Sequence, residues 1–365
     1  MEKLALYSQG SLFVIVVLVI GVLSLRAIND YNPDQQADWA SGQQTSVYEK
    51  HYDKELPVRE VGINIWAAIE YVLFREGRSG VVIGHDDWLF TEEEFRSYSI
   101  DEDKTPENLE FIKAVSNKLE TEGIALIIST VPAKARVYPE YTGTESPSAA
   151  ATARYAMFQQ WLKSNGIART DLLLPLMESK NYHPMYLRTD THWTPWGAQI
   201  AANTIAREVQ MRFPDLIGSG SFKSTFTPEI EHQGDLFSYV PLGNWFAWLG
   251  PRPDTITPTS TEKIESDAQV LDLFGDDQTI EITLVGTSYS ANPAWNFPGF
   301  LKEALATDLL DFSQEGKGPF EPMLDYLRSE EFQASPPVLV LWEIPERFLP
   351  VDYSEKLDNT IISKL

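Results

Sequence analysis

The sequence predicts an α/β protein built on a mainly parallel sheet with helices on both faces. Three observations carry that expectation. Apolar, β-branched runs at Ile124 to Thr130, Ile280 to Val285 and Val338 to Ile344 are short and continuous, as strands buried on both faces must be. Segments of helical periodicity alternate with them, which is the pattern of strand-helix crossovers. The chain has 365 residues and no internal repeat, long enough to bury a sizeable core as one main domain.

Taken in chain order, the first element is apolar. No charge lies between Lys3 and Arg26, and Leu12 to Leu25 is almost wholly Leu, Val, Ile and Phe, enough with its flanks to span a bilayer as a helix. A cleaved signal peptide needs a small-x-small site after its apolar core, and Ser24-Leu25-Arg26-Ala27 is a poor one. Residues 1–26 are therefore expected to be an uncleaved signal anchor in the inner membrane, with the rest of the chain periplasmic. Residues 27–60 are polar and poorly periodic and read as a stalk, leaving 61–365 as the main domain.

Within that domain, Asn64 to Phe74 has helical periodicity. Val81 to Ile83 and Trp88 to Phe90 read as a hairpin around Gly84-His85-Asp86-Asp87. Pro106 opens a helix that runs through Glu120 and closes at Gly123, and Ala149 to Lys163 and Thr194 to Met211 are further helices. The stretch from about 213 to 278 breaks the alternation and is rich in Pro, Ser, Thr and aromatics, among them Phe237, Tyr239, Trp245, Phe246 and Trp248. It is expected to be an irregular or β-rich insertion. Such insertions shape substrate grooves and flat rings suit the apolar faces of sugars, although local core is the commoner use of any single ring.

Composition narrows the function. The net charge of -24 disfavours nucleic acid and anionic lipid, and repels a polyanionic polysaccharide outside a locally basic groove. Cysteine is absent, which excludes thiol catalysis, disulfides and cysteine-ligated zinc. His85 and His183 have no partners at metal-ligand spacing, so no metal and no cofactor are predicted.

Chemistry concentrates in two segments almost a hundred residues apart. Asp190 and His192 lie at i, i+2 in Arg188-Thr189-Asp190-Thr191-His192-Trp193, so in extended backbone they point to one side. Ser288 follows the strand through Val285 in Gly286-Thr287-Ser288, at the carboxyl end where open α/β sheets bind ligands. A serine hydroxyl attacks a carbonyl when an imidazole takes its proton and a carboxylate holds that imidazole in the right tautomer. The three residues therefore form a candidate nucleophile, base and orienter. Gly286 is expected to permit a tight turn that frees the Ser288 amide for an oxyanion. The bland alternatives are a structural His192 beside Trp193 and a Ser288 that only caps a helix. Lys134, Arg136, Glu343 and Arg347 also fall near strand ends. Lys134 or Arg347 is a candidate ligand for a saccharide carboxylate and Glu343 a candidate partner of Arg347, with structural ion pairing the plain alternative.

Tyr186-Leu187-Arg188-Thr189-Asp190-Thr191-His192-Trp193-Thr194, Gly286-Thr287-Ser288-Tyr289-Ser290 and Val81 to Phe90 together resemble the alginate O-acetyltransferases of the AlgJ/AlgX type, which are SGNH-hydrolase-like proteins. The resemblance spans roughly residues 60 to 350. It implies an SGNH-like fold and a triad of Asp190, His192 and Ser288. Ordinary SGNH esterases carry the serine near the start and Asp-x-x-His near the end; the permuted order here agrees with the alginate branch. AlgX-type members carry a carbohydrate-binding module after the catalytic domain, for which the end at Leu365 leaves no room, so the resemblance is closer to AlgJ. The function it implies is O-acetylation of an exopolysaccharide, alginate or a related polymer, through an acetyl-serine. The implied partners are that polysaccharide and a membrane-embedded acyltransferase supplying the acetyl group. A carbohydrate acetylesterase, or a non-catalytic scaffold of a secretion complex, is the alternative.

Overall fold

A computed structural model describes residues 41–264 and 280–356, together with helical residues at 11, 13–22 and 24–25. Much of the expected anchor and the first part of the expected stalk lie outside the described residues. Among the described residues no helix is long and apolar enough to cross a membrane. The later part of the expected stalk is helical: Gln43–Glu55 is followed by Pro57–Ile69, where proline takes the first helical position and needs no hydrogen-bond acceptor there.

The chain divides into two compact units, residues 1–78 with 240–250, and residues 79–239 with 251–365. In the first, the helix Pro57–Ile69 runs into a π-helical turn at Glu70–Phe74, and Asn64 packs so closely on Gly243 that a Cβ there would lie 2.1 Å from its side-chain nitrogen. Trp245 and Trp248 are 78% and 79% exposed, so neither ring is local core.

The second unit holds the sheet. Strands β1 (Val81–Ile83) and β2 (Leu89–Thr91) form the expected antiparallel hairpin. β3 (Ala125–Val131) and β4 (Ala168–Asp171) follow the helices Thr105–Thr121 and Ala149–Ser164. The insertion is β-rich: β5 (Phe222–Phe226), β6 (Ile230–His232), β7 (Asp254–Ile256) and β8 (Thr259–Lys263) make two antiparallel pairs, β5 with β8 and β6 with β7. β9 (Ile282–Val285), β10 (Leu310–Asp311) and β11 (Leu339–Pro345) complete a five-stranded sheet of order β10-β9-β11-β3-β4, in which every pairing is parallel.

The apolar runs are strands because both faces of this sheet are covered. Along β11, Leu339 and Leu341 join Ile127, Ile282 and Leu284 against the helices Pro195–Arg212 and Phe297–Leu305. The alternate residues Val340, Trp342 and Ile344 join Ile128 and Val285 against Thr105–Thr121 and Phe320–Arg328. Each fully buried side chain of this kind contributes about 1.5–3 kcal/mol. After β3 the chain crosses to β4 on one side, and after β9 to β10 on the other, with β11 between. The carboxyl ends of β3, β11 and β9 therefore border the crevice where such sheets bind ligands.

Candidate active site

Ser288 is delivered by β9, four fully buried residues that end at Val285. Gly286 is needed for space, not for a left-handed turn: a Cβ there would fall 2.6 Å from Ser290 Oγ and 2.7 Å from Glu343 Oε2. Glu343, buried near the end of β11, accepts hydrogen bonds from the Thr287 amide (2.7 Å), the Thr287 hydroxyl (3.0 Å) and the Ser290 hydroxyl (3.1 Å). Burial pushes its carboxyl up to about 7. Glu343 thus clamps the nucleophile turn and does not hold Arg347, whose ion pair runs to Glu93 at 3.4 Å. Thr287 caps the helical turn Ser288–Ala291 by accepting from the Tyr289 amide, so the capping role considered for Ser288 falls to its neighbour. Among the described residues the Ser288 amide donates to no protein acceptor, which leaves it for an oxyanion.

The Asp190–His192 segment is held from three sides. Its far end enters the helix Pro195–Arg212, capped by Thr194 and started by Pro195. From beneath, the fully buried ammonium of Lys134 donates to the carbonyls of Leu187 (3.1 Å), Arg188 (3.2 Å) and Asp190 (2.7 Å), and burial lowers its pKa to about 8. Lys134 therefore builds the loop and is not placed to bind a sugar carboxylate. From the insertion, Asp254 accepts from the Thr189 amide (2.8 Å) and hydroxyl (2.6 Å), and Gly234 lies so near that a Cβ would sit 2.0 Å from the Thr189 carbonyl oxygen. Arg136 pairs with Glu346 through two bonds of 2.7 and 2.8 Å, an ion pair within the fold.

These supports bring the three sequence candidates together. Asp190 Oδ1 lies 2.6 Å from His192 Nδ1, and His192 Nε2 lies 2.7 Å from Ser288 Oγ. Because an ionised carboxylate only accepts, the His192 proton sits on Nδ1, and Nε2 offers its lone pair to the serine hydroxyl. Burial works to raise the Asp190 pKa, but hydrogen bonds from His192, His232 and the His192 amide hold it well below the ordinary carboxylate range. Two further bonds tie the base loop to the nucleophile turn: the Tyr289 hydroxyl donates to the Thr191 carbonyl (2.5 Å), and Trp193 Nε1 to the Tyr289 carbonyl (3.1 Å). Trp295 stacks on the His192 ring at 5.3 Å.

Sequence reasoning missed the insertion's share of the site. His232 Nε2 donates to Asp190 Oδ2 at 3.0 Å, the Asp235 amide donates to the same oxygen at 3.1 Å, and the Asp235 side chain accepts from the Thr191 amide and hydroxyl. The available signal was His232-Gln233-Gly234-Asp235, two ionisable residues around a glycine in a segment outside the sheet alternation. Ligand atoms of Asp190, His192 and Asp235 come within 4.8 Å of one another, as a cation site requires. Their facing atoms are occupied by the hydrogen bonds just described, so the cluster is accounted for as a hydrogen-bonded relay. A cavity of about 690 Å³ opens over Ser288 and His192, with Thr191, Asp235, Lys317 and Arg347 among its lining residues.

Residues 81–346 match the family described as SGNH hydrolase-like domain, acetyltransferase AlgX. The chain is 39% identical to the probable alginate O-acetylase AlgJ of Pseudomonas syringae pv. tomato, over 93% of this chain and 87% of that protein. It is 40% identical to the protein of the same name from Pseudomonas aeruginosa, over 94% and 90%. The solved O-acetyltransferase domain of Pseudomonas putida AlgJ superposes with a TM-score of 0.70 at 37% identity, covering 79% of this chain and 98% of that domain. With the parallel sheet and helices on both faces, these similarities establish the SGNH-like fold. The chain belongs to the SGNH hydrolase-like acetyltransferase family that includes AlgX and AlgJ.

Proposed function

We propose that this chain acetylates hydroxyl groups of an exopolysaccharide, alginate or a related polymer, through an acetyl-Ser288 intermediate. The observation that carries the reading is the 2.7 Å contact of Ser288 Oγ with His192 Nε2 while Nδ1 is tied to Asp190. Ser288 Oγ attacks the donor's acetyl carbonyl as its proton passes to His192, and the Ser288 amide faces the oxyanion that forms. Collapse expels the donor's oxygen, which takes the proton back from His192. An acceptor hydroxyl then gives its proton to His192 and attacks the acetyl-serine; Ser288 leaves and regains the proton. The donor in this reading is a membrane-embedded acyltransferase.

The cavity holds basic residues beside acidic ones. Arg347 is nine-tenths buried, pairs with Glu93, and lines the cavity together with Lys317. Lys317 pairs with Glu321 at 3.3 Å, and Glu93, Asp235 and Glu321 line the same cavity, so its charge does not by itself select an acidic acceptor. An acidic acceptor is supported by the names of the relatives, which are described as probable alginate O-acetylases.

The test is product analysis with a small acetyl ester as donor and uronate oligosaccharides as acceptor. Bound acceptor gains effective molarity that bulk water lacks, so acetylated oligosaccharide is expected to form faster than free acetate. Acetate as sole product across acidic and neutral oligosaccharides would make the chain an esterase.

A further inference from the structure

Asp190 is shared by two imidazoles. One carboxylate oxygen faces His192 Nδ1 at 2.6 Å, and the other faces His232 Nε2 at 3.0 Å. The Trp295 ring lies between the two histidines, stacked on His192 at 5.3 Å and edge-on to His232 at 5.6 Å. His232 ends β6, held by pairing with Asp254 on β7, so the insertion aims it at the carboxylate. The acid-base chemistry assigned to the triad uses only His192, and nothing in that chemistry requires a second imidazole on Asp190.

We propose that His232 is a positioning residue: neutral, it donates from Nε2 and fixes Asp190 toward His192; protonated, it neutralises Asp190 and slows acyl transfer. The proposal rests on the reading of Asp190, His192 and Ser288 as the reacting triad. The carboxylate's negative charge stabilises the imidazolium that forms on His192 as Ser288 is deprotonated. A neutral His232 leaves that charge in place and satisfies the second oxygen, together with the Asp235 amide. A cationic His232, 3.0 Å away, cancels it.

The groups around His232 favour that second protonation. Asp190 faces it by hydrogen bond, Asp254 lies across the β6–β7 pair, and Asp235 follows three residues later; His192 lies beyond Asp190, and the Arg188 guanidinium is engaged by Asp254 at 3.1 Å. The hydrogen bond to Asp190 raises the His232 pKa above its usual 6.5 against partial burial, with Asp190, Asp254 and Asp235 adding charge attraction. The raised pKa means that protonated His232 stabilises the fold fully below about 6.5 and that this contribution is lost as pH rises through the elevated value. Activity runs the other way, so the enzyme is expected to be slower where this contact is strongest.

The experiment is the pH dependence of kcat/KM for hydrolysis of a small acetyl ester by the full chain, comparing wild type, His232→Gln and His232→Ala. Glutamine places an amide donor near the Nε2 position but cannot take up a proton. Its high-pH plateau should recover most of the rate that alanine loses, with alanine lower by about ten-fold. The midpoint of its acid limb should lie below that of wild type, because wild type loses rate as His232 takes up a proton and glutamine cannot take one up. A glutamine variant with the wild-type midpoint, or one whose plateau falls as far as alanine's, overturns the proposal. Failure of the triad reading shows separately, as activity retained by Ser288→Ala.

Discussion

Ser288→Ala should lower acetyl-ester turnover on the order of 10⁴-fold or more, and His192→Ala should match it, because nucleophile and base act as one unit. Among the described residues the serine hydroxyl's one hydrogen-bond partner is His192 Nε2, and the residue lies half-buried at the cavity wall. Its removal leaves no buried donor unpaired, so the alanine chain should melt within a few degrees of wild type. His192 is more embedded, with its ring against Trp295 and its Nδ1 on Asp190, and His192→Gln is the milder companion for checking the fold. Near-wild-type turnover by Ser288→Ala, measured on a chromogenic acetyl ester, would remove Ser288 from the mechanism.

Asp190→Asn should cost on the order of 10³- to 10⁴-fold with the fold intact, for a reason of hydrogen-bond polarity. Every contact of the Asp190 side chain described above is with a donor: His192 Nδ1 and the His192 amide on Oδ1, His232 Nε2 and the Asp235 amide on Oδ2. Asparagine has one accepting oxygen and one donating NH₂. If the NH₂ takes the Oδ1 side, His192 must accept at Nδ1, its proton moves to Nε2, and the lone pair that receives the Ser288 proton is gone. If it takes the Oδ2 side, it meets the Asp235 N–H and forces His232 to the other tautomer. The first arrangement disables the base and sets the NH₂ against the His192 backbone N–H, the second sets it against the Asp235 N–H, and either clash of buried donors costs about 1–3 kcal/mol. Turnover separates the two, and thermal melting of the same variant checks the fold. Unchanged turnover would show that Asp190 does not orient the base.

The strands of the sheet were legible where burial wrote them. β3, β9 and β11 are apolar because both faces are covered, and the sequence boundaries fall within two residues of the structural ones. The edges were not: β4 reads Ala-Arg-Thr-Asp and β10 is two residues long, so neither carries an apolar run. The helix Gln43–Glu55 was missed for the related reason that its residues are mostly polar and show little periodicity. The candidate site divides along similar lines. Asp190, His192 and Ser288 stood out by spacing and strand context, and they meet at hydrogen-bond distance. Lys134 and Glu343 were noticed as strand-end charges but given the wrong work, since sequence shows that a charge lies near a sheet edge and not that backbone groups surround it. His232 was invisible as a member of the site because its contact with Asp190 joins residues 42 apart through the packing of an insertion.

The measurement that tests the account most directly is peptide mass spectrometry of the full chain quenched during turnover of an acetyl ester. Covalent catalysis by the serine predicts a mass increment of about 42 Da, one acetyl replacing one hydrogen, on the peptide bearing Ser288. The increment should be absent from Ser288→Ala and should disappear from wild type when oligosaccharide acceptor is added. An acetyl group found on another residue, or turnover without any adduct under conditions where deacetylation is rate-limiting, would contradict the account.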